Sequence, residues 1–276
     1  MLFRSYLVAD GNKVFVTTQP GPLRAFRASD GKLLWKTRLP YEDFFDYVPA
    51  VAGGYLYPLA SGESSIVYKV DENTGKVLWH VVGGGGVGAS VGDGKVFFPF
   101  TCDVLALTPD AGKAIWNYYS GCEGGGGVVA AYYNGTLYAP KINFGDGGVI
   151  LKSATGLLRA GLSGGTPAFA GSTSYSIIGK ALVASFINGG NIRWYFAPGD
   201  PLNLPPITIN GTVYTLSGSG KLYVNDGKTG RLLQIIKVGT GSIDMTNVGP
   251  PRIGLGVAPG LLLVPSGSIL AAFAPG

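Results

Sequence analysis

Apolar residues along this chain fall in short alternating runs, each launched by a glycine-containing turn. The runs read DGNKVFVTT, AGGYLYPLA, GDGKVFFPF, YNGTLYAPK, AGSTSYSII, INGTVYTLS and APGLLLVPS. Alternation is the period-two signature of a strand with one buried face. Asn-Gly or Asp-Gly ahead of such a run favours a tight hairpin, because both turn residues accept positive φ. The turn glycines are Gly11, Gly53, Gly94, Gly135, Gly171, Gly211 and Gly260, a period of roughly 40 residues.

A second phrase follows each run: a strand, a turn ending in glycine, then three residues and a tryptophan. It reads AFRASDGKLLW, VYKVDENTGKVLW and LALTPDAGKAIW, with a diverged copy LVASFINGGNIRW. All four tryptophans of the chain, Trp35, Trp79, Trp116 and Trp194, stand four residues after a turn glycine: Gly31, Gly75, Gly112 and Gly190. Copies without tryptophan are GVILKSATGLLRA and KLYVNDGKTGRLLQI. Seven units of this length with four short strands each predict an all-β, seven-bladed β-propeller of four-stranded antiparallel blades. The expected blades span 5–40, 46–82, 87–121, 127–162, 165–198, 204–239 and 250–276, in a single domain over 1–276. The last has residues for three strands and lacks its own outer strand.

The tryptophan phrase resembles the repeat of the PQQ-like, or quinoprotein, propellers over nearly the whole chain. The resemblance implies the fold and, in the catalytic branch, a quinone held with Ca²⁺ at the channel mouth. It also implies, for the alcohol enzymes, a disulfide between adjacent cysteines. This chain has no adjacent pair, and its loops are short and glycine-rich, so its expected place is the non-catalytic branch of scaffolds and extracytoplasmic binding modules. A tryptophan on the outer strand can pack on a neighbouring blade near the turn glycine, which explains that pairing without a cofactor.

Composition narrows the chemistry. Forty-six glycines in 276 residues argue against long helices, while a mean hydropathy of +0.27 argues against disorder. His80 is the only histidine, so multi-histidine metal sites cannot be built. Cys102 and Cys122 fall in loops of the same propeller face, where they form either one disulfide or two inert thiols. The start of the chain has no apolar signal core, as expected of a trimmed or matured extracytoplasmic protein. The uncharged stretch 253–276 is broken by Pro259, Pro265 and Pro275 and suits strands rather than a membrane helix.

Candidate contacts cluster in the loops that join one blade to the next. Gly83–Gly86 and Gly124–Gly127 are glycine runs that would let a ligand approach backbone amides. Acids on the same face are Glu42, Asp43, Asp46, Glu123, Asp200 and Asp244, a set able to hold Ca²⁺, amines or sugars or simply to be solvated. The loop Tyr41-Glu42-Asp43-Phe44-Phe45-Asp46-Tyr47 joins aromatics to acids and suits a protein or glycan partner. The net charge of +5 comes wholly from the first forty residues, where Arg4, Lys13, Arg24, Arg27, Lys32, Lys36 and Arg38 face only Asp10 and Asp30. No nucleic-acid module is recognisable. Asn134-Gly-Thr136 and Asn210-Gly-Thr212 match the glycosylation sequon but are equally good hairpin turns.

Three functions follow as expectations. The first is a non-catalytic module presenting propeller loops to a protein or glycan. The second is a PQQ- and Ca²⁺-dependent dehydrogenase. The third is a structural subunit that self-associates by strand exchange at the open edge of blade 7.

Overall fold

A computed structural model describes the chain except for residues 1–3, 20, 42–43, 46–47, 62–64, 87, 101–102, 120, 122–128, 141–146, 203, 240–253, 259–260, 267–268 and 275–276. Among the described residues there are strands and turns and no helix.

Blade 1 is β1 (Arg4–Asp10), β2 (Lys13–Gln19), β3 (Leu23–Arg27) and β4 (Leu33–Thr37). Blade 2 contains β5 (Phe44–Phe45), β6 (Ala50–Ala52), β7 (Tyr55–Tyr57), β8 (Leu59–Ser61), β9 (Ser65–Asp71) and β10 (Val77–Gly83). Blade 3 is β11 (Ser90–Gly92), β12 (Lys95–Phe100), β13 (Asp103–Leu107) and β14 (Ala114–Tyr119). Blade 4 is β15 (Ala131–Tyr133), β16 (Thr136–Pro140), β17 (Gly148–Lys152) and β18 (Leu158–Leu162). Blade 5 is β19 (Ala168–Ala170), β20 (Thr173–Ile178), β21 (Ala181–Phe186) and β22 (Ile192–Phe196). Blade 6 is β23 (Ile207–Ile209), β24 (Thr212–Leu216), β25 (Lys221–Asp226) and β26 (Leu232–Lys237). Blade 7 is β27 (Gly256–Ala258), β28 (Leu261–Ser266) and β29 (Ile269–Phe273). Each sheet is an antiparallel meander in chain order, and the last has three strands among the described residues. The fold class is the seven-bladed β-propeller that the repeat predicts.

Blade 2 departs from the four-strand pattern. Pro58 has no N–H to give, so its second strand is split into β7 and β8. Across the break the ladder keeps the bond from Tyr68 N–H to Pro58 O at 3.0 Å. The sheet also gains β5 from the loop that the sequence leaves irregular, with Phe44 opposite Ser61 and Phe45 opposite Ala60.

The chain forms two compact units, Met1–Phe144 with Leu151–Leu158 and Gly145–Ile150 with Arg159–Gly276. In the first, apolar cores lie between successive sheets. Phe15, Leu23 and Ala25 of blade 1 meet Leu56, Ala60, Ile66, Tyr68 and Val70 of blade 2. On the opposite side of blade 2, Tyr57, Leu59 and Val67 meet Val96, Phe98 and Leu107 of blade 3. Alternate residues of β9 therefore serve two cores, which is why six successive residues of that strand are buried. The second unit repeats the scheme. Tyr175, Leu182 and Ala184 pack with Val213 and Tyr223, and Leu216 and Leu222 pack with Leu262 and Val264.

Candidate interaction surface

The tryptophan phrase builds the seams between blades. Each turn closes with the same hydrogen bonds: Gly75 N–H donates to Asp71 O, and Asp71 N–H donates to Lys76 O. Glycine takes positive φ there, +72° at Gly75 and +63° at Gly112. The tryptophan of the preceding blade lies flat against that glycine. A Cβ on Gly75 would stand 2.6 Å from the Trp35 ring, on Gly156 2.7 Å from Trp116, and on Gly230 2.6 Å from Trp194. Each indole N–H then donates to the carbonyl three residues ahead of its glycine: Trp35 to Glu72 at 2.9 Å, Trp79 to Pro109 at 3.0 Å, Trp116 to Ser153 at 2.9 Å and Trp194 to Gly227 at 3.1 Å. An aromatic ring from the second strand of the same blade backs each indole: Phe15, Tyr57, Phe97 and Tyr175. These residues are architecture.

Blade 5 differs in detail. Gly190 keeps the closing bond to Phe186 O, but positive φ passes to Asn188 and Gly189. Gly189, not Gly190, faces the previous blade, where its Cβ would be 2.9 Å from Ala160. A second staple lies at the Trp79 seam. Lys69, only 6% exposed, donates from Nζ to Pro109 O at 2.6 Å and sits 3.6 Å from the centre of the Tyr55 ring. Burial lowers its pKa, opposed by the charge of Asp110.

The first glycine run is not an open cradle. A Cβ on Gly83 or Gly86 would stand 2.8 Å from the Phe98 ring, and Gly86 N–H is held by Ser65 Oγ at 2.6 Å. Close packing of this loop on β12 accounts for both glycines. The second run, Gly124–Gly127, lies outside the described residues, as do Glu42, Asp43, Asp46, Cys102, Cys122, Glu123 and Asp244.

Asp200 is a clamp between two loops of its unit. Its Oδ2 accepts from Ser217 Oγ at 2.7 Å, from Ser219 Oγ, and from Tyr223 at 3.4 Å, and it pairs with Lys221 Nζ at 3.5 Å. Burial raises its pKa, but the bonds from Ser219, Ser217 and Lys221 together hold the carboxyl below its usual value. Ser217 and Ser219 were invisible as partners in the sequence, seventeen and nineteen residues away.

Tyr41 is the described candidate that faces solvent. It is 74% exposed, and its φ of +62° is uncommon for a bulky side chain. Its ring lies 5.6 Å from that of His80, whose other neighbour is the Tyr68 ring at 5.9 Å. Tyr68 is buried and donates from its hydroxyl to the carbonyl of Pro40, next to Tyr41. The only histidine of the chain is thus stacked between an anchored tyrosine and an exposed one. Leading into this platform, β4 and the residues after it expose Leu34, Lys36 and Arg38. Elsewhere in blade 1, Lys13 is paired with Glu72 at 3.0 Å and Arg27 with Asp30 at 2.8 Å. Among the described residues no group of three or more His, Cys, Asp or Glu is placed to hold a metal ion, and no helix is long and apolar enough to cross a membrane.

A family model described as outer membrane protein assembly factor BamB matches residues 3–128. The repeat is the PQQ-like propeller repeat. Solved structures extend the likeness in fold to nearly all of the chain. BamB from Moraxella catarrhalis is 16% identical with a TM-score of 0.72, covering 95% of this chain and 81% of its own. The computationally designed Ika8 protein is 12% identical with a TM-score of 0.75, covering 98% and 82%. A europium-containing methanol dehydrogenase is 16% identical with a TM-score of 0.65, covering 85% and 69%. No curated protein matches the chain. At such identities the neighbours speak for the PQQ-like fold alone.

Proposed function

We propose that this propeller is a non-catalytic, extracytoplasmic scaffold that binds a protein partner, with Tyr41 and His80 at the contact. The observation that carries this reading is the platform itself. A bulky residue is kept in a costly backbone conformation with most of its surface in water, over an imidazole anchored by a buried tyrosine. Tyrosine presents a rigid amphipathic surface and is enriched at protein interfaces. Lys36 and Arg38 just upstream favour an acidic partner. The match to an assembly-factor family over the first three blades, where this platform lies, supports the same class of function.

A quinone with Ca²⁺ is a poor fit to the described residues. The glycine run Gly83–Gly86 is occupied by Phe98, and Asp200 spends one carboxylate oxygen on four donors of its own chain. The test is a photo-crosslinking residue at Val82, which is exposed on β10 two residues beyond His80. A discrete adduct that disappears with Tyr41→Gly and persists with a distant surface change such as Lys228→Ala supports the contact. An adduct indifferent to Tyr41, or saturable PQQ binding with dye reduction, overturns it.

A further inference from the structure

In every other blade the third strand has a fourth strand beside it, whereas β29 pairs only with β28. The surface next to it is equally uncovered. On β26, Gln234 stands opposite Val224, just before the bulge in the ladder. This is the register at which Trp35 faces Ala25, Trp116 faces Ala106 and Trp194 faces Ala184. Those tryptophans are half-buried under the turn of the following blade, but Gln234 is exposed, together with Leu232, Leu233 and Ile235. Leu270 of β29 is 64% exposed. An open backbone edge and an apolar strand face, in one unit, therefore both lack the same cover: a turn and an outer strand. The six complete blades define what that cover looks like, an extended segment with alternating apolar residues.

Charge selects its origin. Among the described residues from Gly227 to Ala274 there is no Asp or Glu, while Lys228, Arg231 and Lys237 are exposed around β26. A second copy of this chain pairing edge to edge would bring the same cations with it. We infer that the β29 edge accepts an extended strand from a different protein, apolar at alternate positions and flanked by acidic residues, by β-augmentation. This site is separate from the Tyr41 platform, and its failure would leave that reading intact.

The test uses the full 276-residue chain and three labelled peptides read by fluorescence anisotropy. One has alternating valine and threonine between glutamates, the second replaces the glutamates by lysines, and the third carries a central proline. The first should bind at least tenfold more tightly than either of the others, and added salt should weaken it. Leu270→Lys, on an exposed side chain and so tolerated by the fold, should weaken binding at least tenfold. Arg231→Glu with Lys237→Glu should reverse the preference between the glutamate and lysine peptides, which a merely damaged fold would not do. Tyr41→Gly should leave peptide affinity unchanged. Equal binding of all three peptides, no binding, or a dimer in solution that Leu270→Lys dissolves would each overturn the inference.

Discussion

At Trp79 the indole fills the space between its own strand and the next blade's turn, and its N–H satisfies the Pro109 carbonyl. At Ala160 there is no ring. The turn itself closes the gap, bringing Gly189 so near that a Cβ on it would stand 2.9 Å from the Ala160 methyl. Arg159 adds a bond to Asn188 Oδ1 at 3.3 Å. Both seams are packed, but they differ in what holds them. The first has a large apolar surface and a directed hydrogen bond, the second mostly close backbone approach. A seam of the first kind should tolerate small turn changes badly and lose much stability with its ring. A seam of the second should reject a ring outright.

Trp79→Ala should have the largest effect, a loss of about 3–5 kcal/mol, measured by urea denaturation. An equally large loss from Leu78→Ala, an exposed neighbour on the same strand, would show that the ring has no special weight. Next comes Gly75→Ala compared with Gly94→Ala. Both glycines have positive φ, +72° and +63°, so both cost about 1–2 kcal/mol for the left-handed backbone. Only Gly75 adds a collision with Trp35 and Thr37, since nothing lies within 4 Å of a Cβ on Gly94. Gly75→Ala should thus exceed Gly94→Ala by about 1–3 kcal/mol, and equal losses would dissolve the staple as an explanation. Ala160→Trp, which restores the repeat's consensus on paper, should cost about 1–3 kcal/mol by overpacking. A gain in melting temperature would mean that the two seams are interchangeable.

The smallest expected effect lies away from the seams, at Asp200. Its folded pKa is lower than the unfolded value near 3.9. It therefore contributes stability above that pH and loses it as pH falls through the lower folded value. Asp200→Asn should lower the urea midpoint at pH 7 and show a shallower further drop between pH 4 and 2 than the parent chain. Parallel acid profiles for the two would remove the clamp from the account.

The comparison also shows which features a sequence can display. The fold was legible because one phrase recurs, and a tryptophan four residues after a glycine marks strand, turn and seam at once. Blade 5 obscured the pattern, since Asn188 can take the left-handed conformation and let the turn shift while Gly190 keeps its place in the hydrogen bonding. The site was far less legible. Gly83–Gly86 reads as a ligand cradle in isolation, and only the arrival of Phe98 from the next blade fills it. The pairing of Phe44 and Phe45 with β8 is likewise set by residues beyond the loop. His80 drew notice only as the single histidine, and its value lies in two tyrosines contributed by other segments.

One consequence of β9 reaches beyond local packing. Because its odd and even residues belong to different cores, blade 2 is a party wall: neither neighbour can melt without baring one side of it. Damage in blade 1 should then travel to blade 3 through a strand that touches both, as between adjacent units of a repeat array. Slow amide exchange in β3 and β13 should rise together when β9 alone is weakened, for example by Val67→Ala. In this chain, the unit that breathes is larger than the unit that repeats.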